Sequence, residues 1–281
     1  MRADLHIHTT ASDGCWSPEQ LVAEIQARSI GLFAVADHDT IASLPRCEAL
    51  ARSAGLAFLP GVEISTRCDE RLFHVLAYGF DQRHPLLHDM LVENRAKLTT
   101  VGDFLIHRLW HEGYGIDLEE YAAYQYDAAR GGWKTFNFLV DHGFCADVRE
   151  YSEKFREHLA ATLPAFPHPA EAVTVIRAAG GVPILAHPGA SLRSVGVAEK
   201  TLHPFLGFGI AGLECYSSYH DVETTRFCLA WCARHDLLVT GGSDCHGGFV
   251  GRELGVPVVE SDDLRLGELA ERAGLAELNR L

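Results

Sequence analysis

The 281-residue chain reads as an α/β protein built on a parallel sheet, wound as a barrel or a heavily twisted open sheet and interrupted once by a mainly helical segment. Three observations predict this. Short apolar runs alternate with helix-period patterns, the alternation stops near residue 82 and resumes near 169, and residues of metal-binding type recur where the apolar runs end.

A first strand is expected near 3–8 and a helix near 18–29, opened by Ser17 as cap and Pro18 at the first helical position. A strand at 32–36, a helix at 40–54 and strands at 56–62 and 73–79 follow. After the interruption come a helix at 170–179, strands at 182–186 and 211–215, a helix at 221–235, a strand at 237–241, a short strand near 256–259 and a last helix near 264–274. The main domain is therefore assigned to 1–81 and 169–281, and a small helical cap to 82–168. Within the cap, Leu87, Met90, Leu91, Leu98, Val101, Phe104, Leu105 and Leu109 recur at spacings of three and four. Its aromatic residues, among them Tyr114, Tyr121, Tyr124, Tyr126, Trp133, Phe136, Phe138 and Phe144, are expected mainly to form the core of the cap. The segment Arg130-Gly131-Gly132-Trp133-Lys134 joins two helical stretches.

Apolar residues at 47% and charged residues at 22% are ordinary globular values and argue against long disorder. The formal charge of −14, from 38 acidic and 24 basic residues, argues against a surface for duplex DNA. Neither a leader peptide nor an apolar run near the ~20 residues of a membrane span is read, so a cytoplasmic protein without membrane contact is expected. The sequence leaves the oligomeric state open. Eight scattered cysteines are expected to be free thiols, with Cys228 and Cys232 packing in the core instead of binding metal.

Chemistry concentrates at the strand ends. In His6-Ile7-His8 the two rings project to one side of an extended strand, and Asp13 returns from the following loop. His38 follows the second strand inside Asp37-His38-Asp39, Glu63 follows the third and His74 lies within the fourth. His187 follows Ile184-Leu185-Ala186, and Asp244 and His246 follow Thr240-Gly241-Gly242-Ser243. Carboxyl ends of parallel strands share one face, so these nine side chains are expected to converge. A catalytic zinc uses about three protein ligands, so the set suits two or three divalent ions. Mixed imidazole and carboxylate favours manganese, iron or zinc over magnesium. Asp13, Glu63 and Asp244 are three negative charges; three divalent ions then leave about +3 and two leave about +1, so an anion should bind. Asp37 and Asp39 are expected to orient His38.

Taken together, H-x-H at 6–8, S-D-G at 12–14, D-H-D at 37–39, G-V-E-I-S at 61–65, A-H-P-G at 186–189 and G-G-S-D-C-H at 241–246 resemble the polymerase and histidinol phosphatase, or PHP, family. The likeness covers about 1–81 and 169–260. It implies a distorted (β/α)7 barrel with a trinuclear site. His6, His8, Glu63 and Asp244 would hold one ion, Asp13, His38 and His246 a second, and Glu63, His74 and His187 a third, with Glu63 bridging.

Within the family the likeness is to stand-alone phosphoesterases with a helical insertion after the fourth strand, including nucleotide phosphatases and a short-RNA exonuclease. Their Arg-x-His-x-Ala run is replaced here by Arg130-Gly131-Gly132-Trp133-Lys134-Thr135, and the Arg that often follows A-H-P-G by Ala190, with Arg193 nearby. The activity expected is hydrolysis of a small phosphomonoester, such as a nucleotide or a 3′,5′-bisphosphorylated nucleotide, by a metal-bridged hydroxide, with Asp244 among the catalytic groups. His220 is the candidate for phosphate contact or leaving-group protonation. Arg130, Lys134 and Arg193 are candidates for a second phosphate or a carboxylate. The alternatives are a 5′–3′ exonuclease on short oligonucleotides, a histidinol-phosphate-type phosphatase, metal-assisted amide or lactone hydrolysis, and a metal-binding module without turnover.

Overall fold

Ser17 accepts the backbone N–H of Gln20 while the Gln20 side chain accepts that of Ser17, and this reciprocal cap starts the first helix where the sequence placed it. The computed structural model describes residues 1–161 and 164–275. Its first part holds β1 (Arg2–Asp4), α1 (Pro18–Ala27), β2 (Ile30–Val35), α2 (Leu44–Ala54), β3 (Ala57–Cys68) and β4 (Arg71–Tyr78). A helical run follows: α3 (Pro85–His111), α4 (Leu118–Ala123), α5 (Lys134–Asp141), α6 (Val148–Lys154) and α7 (Arg156–Ala161). The chain then makes α8 (Pro169–Ala178), β5 (Val182–Leu185), α9 (Pro188–Ser191), α10 (Glu199–Phe208), β6 (Gly212–Ser217), α11 (Val222–His235), β7 (Leu238–Gly242), β8 (Val259–Glu260) and α12 (Leu269–Arg272).

The strands form one sheet in the order β7-β6-β5-β4-β3-β2-β1-β8. It curls until its ends meet: Leu5 N–H donates to Gly241 O at 3.0 Å, His8 N–H donates to Cys245 O at 2.9 Å, and Ile7 bridges Cys245 in parallel. Strands β1 to β7 therefore close the wall of a distorted barrel, with β8 an antiparallel addition beside β1. One expectation is corrected. Only Asp69 and Glu70 separate β3 from β4, both at positive φ, and a link that short joins only antiparallel neighbours. So β4 runs against both β3 and β5, while the other wall pairs are parallel.

Alternate strand residues divide the core. Leu32, Ala34 and Ala36, Ala57 and Leu59, Leu76 and Tyr78, and Val182 and Ile184 fill the barrel, and Leu266, Leu269 and Ala273 plug one end. Phe33, Val35, Phe58, Val62, Val75 and Ala77 pack outward under the helices. Burial on both faces explains the nearly continuous apolar runs. The inward rows of β3 and β4 then turn polar: Leu59 leads to Glu63, and Leu76 to His74, so the site rests on the apolar filling.

Three elements differ from the sequence reading. Strand β1 stops at Asp4 because Leu5–His8 takes backbone partners in turn from Gly241, Ala36 and Cys245 instead of one neighbour. Helix α10 was not anticipated, since Pro204 inside it masks the apolar pair Leu202 and Phe205 that it buries. The terminal helix is short, Leu269–Arg272.

Helix α3 belongs to two cores. Leu87 and Leu91 pack with the barrel's outer layer, whereas Leu105, Ile106 and Leu109 join Tyr121, Phe136, Phe138, Tyr151 and Phe155 in a separate cluster. All eight cysteines are free, with Cys228 and Cys232 buried in the main core. Among the described residues no helix is long and apolar enough to cross a membrane.

Barrel closure has a local test. A Cβ on Gly242 would lie 2.5 Å from both the backbone N and the Cβ of His6. Gly242→Ala should cost roughly 1–3 kcal/mol by overpacking, read as a lower urea midpoint. An unchanged midpoint would show that the seam between β1 and β7 is loose.

Candidate metal centre

Ile7 packs into the outer core and leaves His6 and His8 on the opposite side, both rings fully buried. His38 follows β2 and bridges Glu63 backbone to backbone. Glu63 and His74 stand on β3 and β4, His187 follows β5, and Asp244 and His246 follow β7. Barrel closure thus brings together all nine expected residues.

Their ligand atoms fall into three overlapping groups, each within 4.8 Å: His8, Asp13, His38 and His246; His6, His8, Glu63 and Asp244; and His38, Glu63 and His74. His8 serves two groups because its Nδ1 lies 3.6 Å from Asp13 and its Nε2 lies 2.9 Å from Asp244. His187 stands outside these groups but places Nε2 2.8 Å from Glu63 Oε1. The donor set fits divalent ions on a direct observation. His6 Nε2, His8 Nε2, His38 Nδ1, His74 Nδ1, Asp13 Oδ1, Glu63 Oε2 and Asp244 Oδ1 are buried without a hydrogen-bond partner. Buried polar atoms are rarely left so, and seven converging orphans are what an ion shared among them would satisfy.

At His6, His8, His74, Asp13, Glu63 and Asp244 burial opposes charge, yet mutual attraction prevails. Glu63, Glu214 and Asp244 raise the pKa of His6 well above the usual imidazole value despite desolvation. His8 is pushed up to about 10 against desolvation, chiefly by Asp244 and Glu63, and His74 is raised by Glu63. Glu63 and Asp244 are held well below the carboxylate range, burial notwithstanding, by the surrounding histidines. Asp13 is lowered in the same way by His246 and His38. At His38 desolvation wins, and its pKa falls to about 3.

Asp37 and Asp39 act differently from the expectation that they orient the His38 ring. Asp37 accepts Thr9 N–H and the hydroxyls of Thr9, Ser12 and Ser43, which fixes the loop carrying His8 and Asp13. Asp39 accepts Ser65 N–H at 3.1 Å and the Asn94 amide at 2.8 Å, tying α3 to the barrel mouth.

Asp13, His38, His74, His187, Asp244 and His246 line a cavity of about 340 Å³, whose wall also includes Trp133, Val148, Ser191, Tyr219, Val250 and Arg252. Arg252 and Tyr219 were missed by sequence reading. The guanidinium binds Asp244 Oδ2 and the Tyr219 hydroxyl, and stacks 4.9 Å from the Tyr219 ring. Its eight-residue separation from Asp244 across a glycine-rich loop carries no local pattern. Burial and Asp244 push Tyr219 above the usual phenol range, so it remains a donor.

The four expected substrate contacts, His220, Arg130, Lys134 and Arg193, are not among the residues lining this cavity. His220 spends both ring nitrogens on backbone: Nδ1–H donates to Cys215 O and Nε2 accepts Gly189 N–H, each at 2.9 Å. Burial also lowers its pKa, so it pins the turn after His187 as a neutral ring. Arg130 grips Asp141 with two bonds of 2.7 and 2.8 Å, because that carboxylate lies one helix away in its own segment. Lys134 donates to Ala122 O and lies 4.5 Å over the Tyr121 ring. Arg193 is exposed in the loop after α9.

The PHP domain profile matches residues 4–158. A protein named 5′-3′ exoribonuclease from Haemophilus influenzae is 31% identical over 260 residues, covering 86% of this chain and 89% of its own. A 3′,5′-nucleoside bisphosphate phosphatase from Chromobacterium violaceum is 29% identical over 268 residues, covering 90% of each chain. The solved structure of a Chromobacterium violaceum amidohydrolase with bound sulfate and no metal superimposes with a TM-score of 0.79 at 26% identity, over 97% of each chain.

The raised pKa values of His6 and His8 mean that these rings carry protons at neutral pH until an ion displaces them. Ion affinity should therefore fall as pH drops from about 8 to 6, and binding should release protons. Calorimetry in buffers of different ionisation enthalpy measures that release; ion binding without it would contradict protonated rings at these two positions.

Proposed function

The chain belongs to the PHP domain family, and from that premise we propose that it is a metal-dependent phosphoesterase that hydrolyses a small phosphomonoester, a nucleotide being the best candidate. The observation that carries this reading is the floor of seven unpartnered buried donor and acceptor atoms beneath a cavity walled by Arg252. His6, His8, Asp13, His38, Glu63, His74, Asp244 and His246, with His187 beside them, would hold two or three divalent ions such as manganese, iron or zinc. Such ions supply Lewis acidity, which acidifies water and neutralises the phosphoryl oxygens.

The chain's own groups do the rest. Arg252 is a fixed cation at the wall, poised to exchange its contact with Asp244 for a phosphoryl oxygen. Tyr219 offers a protonated hydroxyl beside it, a donor for a phosphoryl or leaving-group oxygen. In the net reaction a water oxygen bonds phosphorus, the bond from phosphorus to the ester oxygen breaks, and the alcohol leaves with a proton. Trp133, Val148 and Val250 give the organic portion an apolar wall, two of them from the segment 82–168. We therefore assign metal chemistry to 1–81 and 169–281, and substrate choice to 82–168. The volume of about 340 Å³ lies at the small end for ligand sites and suits one nucleotide. Likeness to a protein named exoribonuclease keeps short RNA as a second reading with the same chemistry.

Manganese-loaded protein should release phosphate from p-nitrophenyl phosphate and from at least one member of a panel of mononucleotides, bisphosphorylated nucleotides and histidinol phosphate. No release from any would sink the phosphatase reading, whereas cleavage of short RNA alone would transfer it to the exonuclease. His6→Ala or Asp244→Ala should lose ions and activity together. Arg252→Ala removes a charge-assisted hydrogen bond worth roughly 1.5–3 kcal/mol, so kcat/KM should drop by about 10- to 100-fold. Unchanged kinetics in that variant would take Arg252 out of the site.

A further inference from the structure

One buried carboxylate beside the centre has no task in the proposed chemistry. Glu214 lies on β6, 1% exposed, and is absent both from the three ligand groups and from the cavity lining. Its oxygens are already engaged. Oε1 is 3.0 Å from His6 Nδ1, and Oε2 accepts the backbone N–H of His187 at 2.7 Å.

Each contact bears on a different part of the site. His6 Nε2, on the far side of the ring, lies 3.2 Å from Glu63 Oε2 and 3.5 Å from Asp244 Oδ1 with no hydrogen-bond partner. His187 has φ 22° and ψ 62°, a conformation that a residue with a side chain keeps only when its surroundings impose it. Its ring reaches Glu63 Oε1.

We propose that Glu214 is a positioning residue of the metal centre. A carboxylate only accepts, so it holds the proton of His6 on Nδ1 and leaves the Nε2 lone pair facing Glu63 and Asp244. Its second oxygen holds the strained turn that presents His187 to the same Glu63. One side chain thereby sets the ring on β1 and the turn after β5 in common register. The inference rests on the metal-centre reading above and adds to it a residue outside the ligand set.

The decisive variant is Glu214→Gln, nearly identical in shape. The His187 N–H can only donate, so it claims the amide oxygen, and the NH2 group then faces His6 Nδ1. That nitrogen must accept, which drives the ring proton to Nε2 and blocks the coordinating atom. Folded Glu214→Gln should therefore keep its unfolding midpoint within a few degrees of wild type but retain at least one equivalent less manganese or zinc after dialysis, by elemental analysis.

A folded Gln variant that loads the full wild-type complement overturns the proposal. A second measurement is independent of how the variant folds: in zinc-loaded wild type, 15N spectra should show His6 protonated at Nδ1, and protonation at Nε2 overturns it. Wild-type protein that retains no ion would instead overturn the metal reading, and the inference with it.

Discussion

Five imidazoles surround one carboxylate that has no access to water. Glu63 places its oxygens 2.8 to 3.3 Å from ring nitrogens of His6, His8, His38, His74 and His187. Leaving a carboxylate unpaired in such a place would cost several kcal/mol, so its partners must all arrive as the chain folds. They come from four different strands or strand ends, and Glu63 from a fifth, which only a closed barrel can bring within reach of one point. The closing bonds from Leu5 to Gly241 and from His8 to Cys245 are therefore a condition of the site as well as of the fold.

The same geometry explains why so much of the centre was legible in sequence. A ligand at a strand end announces itself, because a polar residue after four or five apolar ones must either leave the barrel or sit in its mouth. Glu63 and His187 have that signature, His6 and Asp244 stand just past the first and seventh strands, and the mid-strand His74 follows because β4 runs backwards and carries its inward row past Leu76 to the same level. What stayed hidden was of two kinds. Glu214 lies between Leu213 and Cys215, and an acid inside an apolar strand was a signal available but unused. Arg252 reaches the centre from a loop whose conformation is set by glycines at 247, 248 and 251, and no periodicity encodes that reach.

Two of the cations read as substrate contacts are engaged elsewhere for a physical reason. Arg130 and Lys134 lie in a segment that buries its own aromatic core, and each found a partner there, Asp141 and the Tyr121 ring, before any ligand arrived. A cation in a loop takes the nearest acceptor, and sequence spacing does not show which acceptor is nearest. Trp133, from the same run, is the residue that faces the cavity. Asn137 accounts for its placement: the amide binds Gly131 O and Trp133 O, and Gly131 and Gly132 adopt positive φ to bring the indole round. The wall of the cavity is therefore more apolar than the cations of this segment suggested.

Charge then decides when an anion can enter. Glu214 adds a fourth carboxylate to Asp13, Glu63 and Asp244, while Arg252 adds one cation, so the two charged residues missed by sequence cancel. With two divalent ions the fixed charge of the site is about +1, and with three about +3; with none, Asp13, Glu63 and Asp244 lie ionised and outnumber Arg252. Protons taken up by His6 and His8 compensate part of that deficit but occupy the lone pairs that would hold ions. Protonation and metal loading are thus competing ways of neutralising one buried cluster. Only the second leaves an open position for a phosphoryl oxygen, because a protonated ring spends its charge on the carboxylate beside it, whereas an ion held by three or four protein atoms still accepts further ligands. Substrate affinity in this chain should accordingly follow ion occupancy, with Arg252 setting where the phosphoryl group sits after the ions have made the cavity hospitable to it.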